Sequence, residues 1–128
     1  MHPLTTRRRQ LFHDVRYELT LLGSTADEVA ARLQAVGVRG LPTNIYECAI
    51  ARYLSAVLGA DLRITTVEVS SSEVAVDRRP WWRLPLVVSL PPAVRQFVGE
   101  FDAGIHPDLV DEDSLRAKEH FDEHRIEQ

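Results

Sequence analysis

Four groups of side chains in this 128-residue chain have the types and spacing to do chemistry. The densest is the run Arg78, Arg79, Pro80, Trp81, Trp82, Arg83. Arginine and tryptophan dominate binding hot spots, because a planar charged fork and a large amphipathic ring lose little freedom when they dock. Pro80 stiffens the run at low entropic cost. Adjacent side chains on extended backbone point oppositely, so one tryptophan is expected inward and one outward. A second group, Arg7, Arg8 and Arg9, suits phosphate contacts. The third is Cys48, the only cysteine. Asn44 reads as a helix cap just before it, and a helix start with Arg52 one turn on favours a thiolate. The fourth is the pair His120 and His124 in KEHFDEH, four residues apart on one helical face.

Each group has an alternative role. Cysteine is most often a small buried apolar residue, and packing is the expected role of Cys48. A cysteine hydrolase or transferase would need a histidine beside the thiol, and no strand expected here carries one. Two histidines fall short of the roughly four ligands of a stable zinc site, and neither HExxH nor CxxC occurs. A solvated helix face is expected there, with no metal and no cofactor. No glycine-rich phosphate loop, Ser-His-Asp order or paired-carboxylate signature stands out.

Composition narrows the class. Apolar residues make up 45% and charged residues 27%, the balance of an ordinary globular chain. No apolar run approaches the ~20 residues of a membrane-spanning helix. No apolar stretch follows Arg7 to Arg9, so these do not read as a secretory signal. One cysteine excludes an internal disulfide and fits a reducing compartment, so the expected location is cytoplasmic. The net charge of −4 is unevenly spread. Residues 1–99 carry twelve arginines against nine acidic residues, whereas residues 100–128 carry three basic against ten acidic ones.

The elements that must position these groups follow from periodicity. Residues 1–12 read as a flexible basic arm. Val15, Tyr17, Leu19 and Leu21 alternate with polar residues and favour a strand, with a helix as the competing reading. Thr25 and Glu28 form a capping box ahead of a helix over about 26–36, which Gly37 stops. Asn44 and Glu47 repeat that logic for a helix over about 45–58, with Tyr46, Ile50, Tyr53, Leu54 and Val57 as its core stripe. The two helices read as an αα-hairpin. Residues 62–69 and 73–77 read as a β-hairpin with a slip at Thr65–Thr66, and Leu86 to Val88 as a third strand. Pro91 and Pro92 open a helix whose face is Val94, Phe97, Val98 and Phe101. From about Asp111 a peripheral acidic helix follows.

LPTNIYECAIARYL and LPPAVRQFVGEFDAGIHPDLV carry a resemblance. They are similar to a group of small uncharacterised proteins common in high-GC actinobacteria. In that group a C-x-x-A-x-Y-L helix precedes strands and then LP-x-x-V-x-x-F-V-x-x-FD-x-G-x-x-P-x-L. The likeness spans about residues 25–110, with Cys48, Tyr53, Phe97, Phe101, Asp102 and Pro107 at the matching positions. It implies a shared fold and brings no activity. The order of a cysteine at a helix start followed by strands also resembles papain-like and transglutaminase-like enzymes.

The sequence therefore reads as one α+β domain over 13–110: an αα-hairpin, an antiparallel sheet of three or four strands and an amphipathic helix. The acidic tail spans 111–128. The expected function is a non-enzymatic protein-interaction or regulatory module contacting a partner through Arg78, Arg79, Trp81, Trp82 and Arg83. The alternatives are nucleic-acid binding through the same loop with Arg7 to Arg9, and cysteine chemistry at Cys48. A protein partner is expected, nucleic acid and self-association are open, and no membrane is implied.

Overall fold

In the computed structural model, which describes residues 3–61, 63–80 and 84–126, with side chains over 7–61, 63–80 and 84–121, the chain begins in a helix. Helix α1 spans Pro3–Leu21. It replaces both the loose arm and the strand expected here. Leu11, Val15, Leu19 and Leu22 are buried, at spacings of four, four and three, whereas Tyr17 is 63% and Leu21 46% exposed. The apparent alternation sampled two members of a helical stripe and two surface residues.

Helix α2, Ala26–Ala35, starts where expected: the Thr25 hydroxyl accepts the Glu28 amide at 3.1 Å. The Glu28 carboxylate reaches back one residue further than a capping box, to the Ser24 amide at 3.2 Å. At its end Gly37 has φ +76° and the Val38 amide bonds the Leu33 carbonyl at 3.0 Å, so the stop is a left-handed cap.

Helix α3 spans only Ala49–Val57. Asn44 does cap, but it caps a separate single turn: its side-chain oxygen accepts from the Tyr46 and Glu47 amides at 3.0 and 2.9 Å. The backbone then turns extended at Cys48, which itself caps α3. This break moves Tyr46 off the expected core stripe, leaving it 52% exposed, and Val57 also lies at the surface. Ile50, Tyr53 and Leu54 remain buried, and Ala51 and Cys48 join them from the other side. Gly40 packs against the break. A Cβ there would fall onto the Ala49 amide and the Cys48 carbonyl carbon, so the 38–41 segment runs directly against the start of α3.

Strands β1 (Ile64–Val69), β2 (Glu73–Arg78) and β3 (Leu86–Ser89) form an antiparallel sheet in the order β1-β2-β3. The expected slip is real: the β1–β2 register shifts between Ile64 and Thr66. Val67, Val69, Val74, Val76, Leu86 and Val88 form the buried face. Helix α1 lies against β3 and α3 against β1. The other face carries exposed Thr66, Glu73, Val87 and Ser89.

Helix α4, Pro92–Asp102, opens on its prolines and buries Val94, Phe97, Val98 and Phe101 as expected. It is the main helical neighbour of α2. A 3₁₀ turn at Pro107–Leu109 leads to α5, Glu112–Ile126. Gly40 pairs with this connection through the Leu109 carbonyl and the Asp111 amide, both at 2.9 Å. Asp111 then fixes the root of α5. Its carboxylate accepts from Arg52 of α3 and from the Ser114 hydroxyl, each at 2.7 Å, and these bonds hold its pKa down at about 2. From Arg116 through Phe121 α5 is exposed.

Candidate functional site

The hairpin fixes which residues meet at its open end. Ile64 pairs with Arg78, so the residues before β1 face those after β2. The Arg79 amide bonds the Arg63 carbonyl at 2.7 Å and extends this closure by one step. The bulge at Thr65 sits in the same place, and the start of α1 lies beside it. Together they wall a cavity of about 950 Å³ lined by Arg7, Arg63, Thr65, Thr66, Asp77, Arg78, Arg79 and Pro80. Four arginines, from α1, the approach to β1 and the end of β2, are thus among the described residues that line one opening.

Their roles differ. Arg78 continues the inward row of Val74 and Val76, and is only 9% exposed. Its Nη2 donates to the Leu84 carbonyl at 3.4 Å. Arg79 is exposed at the rim, joined to Pro80 by a cis peptide bond. Arg63 is held by Asp61 through two bonds of 3.0 Å, from Nε and Nη2. That pair holds the Asp61 carboxyl below its usual range, and the charge of Arg7 adds to the effect. Asp77, the one carboxylate among the described lining residues, accepts from the Thr66 hydroxyl at 2.7 Å.

Of the residues expected to contact a partner, Arg78 and Arg79 thus line this cavity, while Trp81, Trp82 and Arg83 lie outside the described residues. Arg7 joins them, but Arg8 and Arg9 do not line the cavity. Consecutive helical residues are turned about 100° from one another, so a run of three arginines cannot present one face. Sequence reasoning missed Arg63, Thr65, Thr66 and Asp77. A signal for them was available, since a hairpin turning at Ser70–Ser72 places residue 63 opposite 79. For Arg7 there was none once the first twelve residues were read as a loose arm.

Cys48 has a different setting. It is 4% exposed, and its sulfur accepts the Ala51 amide at 3.5 Å. Burial pushes the thiol pKa up and outweighs the amides of the helix start, which pull it down; the Asp102 carboxylate adds to the rise. A space of about 120 Å³ adjoins it, walled by Thr43, Asn44, Ser70, Ser71 and Asp102 among others, and no described histidine lines it. His106 is engaged by Glu100 at 2.8 Å and lies 5.0 Å from the Phe97 ring, centroid to centroid. The elements of a thiolate–imidazole pair are therefore not assembled among the described residues. His120 is exposed on α5, and the His124 side chain lies outside the described residues. Among the described residues no group of three or more His, Cys, Asp or Glu is arranged to hold a metal.

A second opening, of about 730 Å³, lies between the end of α2 and the root of α5, with Asp108, Glu112 and Asp113 in its wall. Arg39 and Arg116 share that wall, and Arg116 lies 3.3 Å from Asp113. With Asp111 also in the wall, its carboxylates outnumber these arginines, and Asp111 is engaged by Arg52. The basic cavity is the stronger candidate. No described helix is long and apolar enough to cross a membrane. No family model matches the chain, and neither the curated proteins nor the solved structures contain a match to it.

Proposed function

We propose that this protein is a non-enzymatic interaction module that binds an acidic segment of a partner protein at the arginine-lined cavity. The observation that carries the reading is that Arg7, Arg63, Arg78 and Arg79 line one opening, with Asp77 as the one carboxylate among its described lining residues. Trp81 and Trp82 directly follow Pro80 in the chain, and arginine and tryptophan are among the residue types most common at hot spots. Arginine forks recognise carboxylates bidentately, which gives such a surface direction as well as charge. The single, buried cysteine suits a reducing compartment, and we read the protein as cytoplasmic.

Nucleic acid is the second reading, favoured by the same arginines. A polyanion must run on beyond the cavity, however. The adjoining open face of the sheet presents Glu68, Glu73 and Asp77, which repel it. A short acidic segment avoids that cost. Two labelled probes of equal charge separate the readings: a glutamate-rich peptide and a single-stranded oligonucleotide, followed by fluorescence anisotropy. The peptide is expected to bind, and the double change Arg7→Glu, Arg79→Glu to weaken it by tenfold or more, since both side chains are exposed and the fold should survive. Peptide binding untouched by that change removes the reading. Preference for the oligonucleotide, falling steeply with salt, replaces it with the second.

A further inference from the structure

We infer that the outer edge of β3 is a self-association site, where two copies of this chain pair antiparallel about a two-fold axis through Val88 and join their sheets into one. The inference goes beyond the proposed reading and makes no use of the arginine cavity.

The ladder fixes which groups this edge presents. The Leu90 amide bonds the Ser72 carbonyl at 2.9 Å, and Val88 and Leu86 stand opposite Val74 and Val76. Bonding alternates along an antiparallel pair, so Leu86, Val88 and Leu90 bond toward β2, while Val87 and Ser89 turn their N–H and C=O groups the other way. Among the described residues, neither the Val87 nor the Ser89 amide has a backbone partner outside the ladder. Both residues are exposed.

The two edges of the sheet differ. At β1 the Ile45 carbonyl takes the Val69 amide at 2.8 Å, the register shifts between Ile64 and Thr66, and Glu68 puts a charge on the strand. Cover, bulges and charges are what keep an edge from pairing. The β3 ladder runs without a shift, and residues 84–92, LPLVVSLPP, carry no charge.

The prolines select the occupant. Pro85 and Pro91 share the outward row of Val87 and Ser89, and neither has an N–H to offer. With Val88 opposite itself, Val87 exchanges both backbone bonds with Ser89 of the second copy, and Pro85 falls opposite Pro91. One step either way sets a proline opposite Val87 or Ser89, whose carbonyl then has no donor. A foreign strand running on past the pair meets the same gap at each proline. A second copy also brings no charge, so no like charges meet across the axis. On the core side buried Leu86 stands opposite buried Leu90, and Val88 opposite Val88, which continues the apolar face. Strand pairing alone covers less than the ~800 Å² per partner of a standard interface. The dimer is therefore expected to be weak and reversible, with a Kd of about 10–100 µM.

Sedimentation velocity on the full chain, from about 5 µM to about 1 mM, should show a reversible passage from monomer to dimer. Amide hydrogen exchange over the same range locates the contact. The Val87 and Ser89 amides should gain about tenfold protection or more as the dimer forms, whereas the Val88 amide, bonded across the ladder, should be protected throughout. Ser89→Pro removes an outward N–H that the fold does not use, so the variant should keep its fold in thermal melts and stay monomeric. Val87→Lys, a surface change that brings like charges near the axis, should weaken the dimer about tenfold or more. A chain that stays monomeric at the top of the concentration range overturns the inference and leaves a foreign strand as the remaining occupant. A dimer that both variants leave intact, or whose new protection lies away from Val87 and Ser89, overturns its placement at β3. Neither failure bears on the arginine cavity, which neither residue lines.

Discussion

Cys48 shows how neighbours decide what a reactive residue does. A thiol at a helix start is a nucleophile in principle, yet here it is buried and its pKa is raised rather than lowered. An aromatic disulfide reagent at pH 8 should therefore modify it only as fast as the protein opens, about a hundredfold or more slower than in denaturant. Rapid modification of the folded chain contradicts this. Gly40 is a stricter case. Any side chain there meets backbone of Cys48 and Ala49, which cannot rotate away. Gly40→Ala should cost about 3 kcal/mol in urea unfolding. Asp111 sets a pH dependence. Its folded pKa, about 2, lies below the ordinary 3.8, so its bonds to Arg52 and Ser114 favour the folded state above pH 4. That contribution is lost as pH falls toward 2. Asp111→Asn should thus be less stable than wild type at neutral pH, and its stability should change less between pH 4 and pH 2 in urea titrations.

Helix α1 carries the largest difference between sequence pattern and fold. Four residues of alternation look like a strand, and only the addition of Leu11 and Leu22 reveals spacings of four and three. Those two lay outside the window that suggested the strand. The contrast is measurable. Leu19→Ala should cost 2–5 kcal/mol, whereas Leu21→Ala, two residues on and half exposed, should cost well under 1 kcal/mol. Similar losses at both would contradict the helix. Helix α2, the β1–β2 hairpin with its bulge, and α4 were legible because their signals are local: a cap, a glycine stop, alternation, an apolar stripe. The start of α3 was not. Asn44 caps in both readings, and the close approach of Gly40 at the division between turn and helix is invisible to any window around Asn44.

At the scale of the whole molecule, the site was half legible. Arg78 and Arg79 drew attention by composition, and their opposite strand follows from the hairpin register. The arrival of Arg7 depends on how α1 docks, which is a property of the packed core. The uneven charge along the sequence becomes local structure: arginines at the open end of the β1–β2 hairpin, carboxylates around the root of α5. Association with an acidic partner should therefore weaken with salt, mainly through its on-rate. The most direct measurement is a backbone amide NMR map of the folded chain titrated with the glutamate-rich peptide. Shifts confined to residues 7, 63–66 and 77–80 and their neighbours are expected. Shifts centred on α5 or on the edge of β3, with the arginine cavity silent, would contradict the assignment of that cavity as the contact surface.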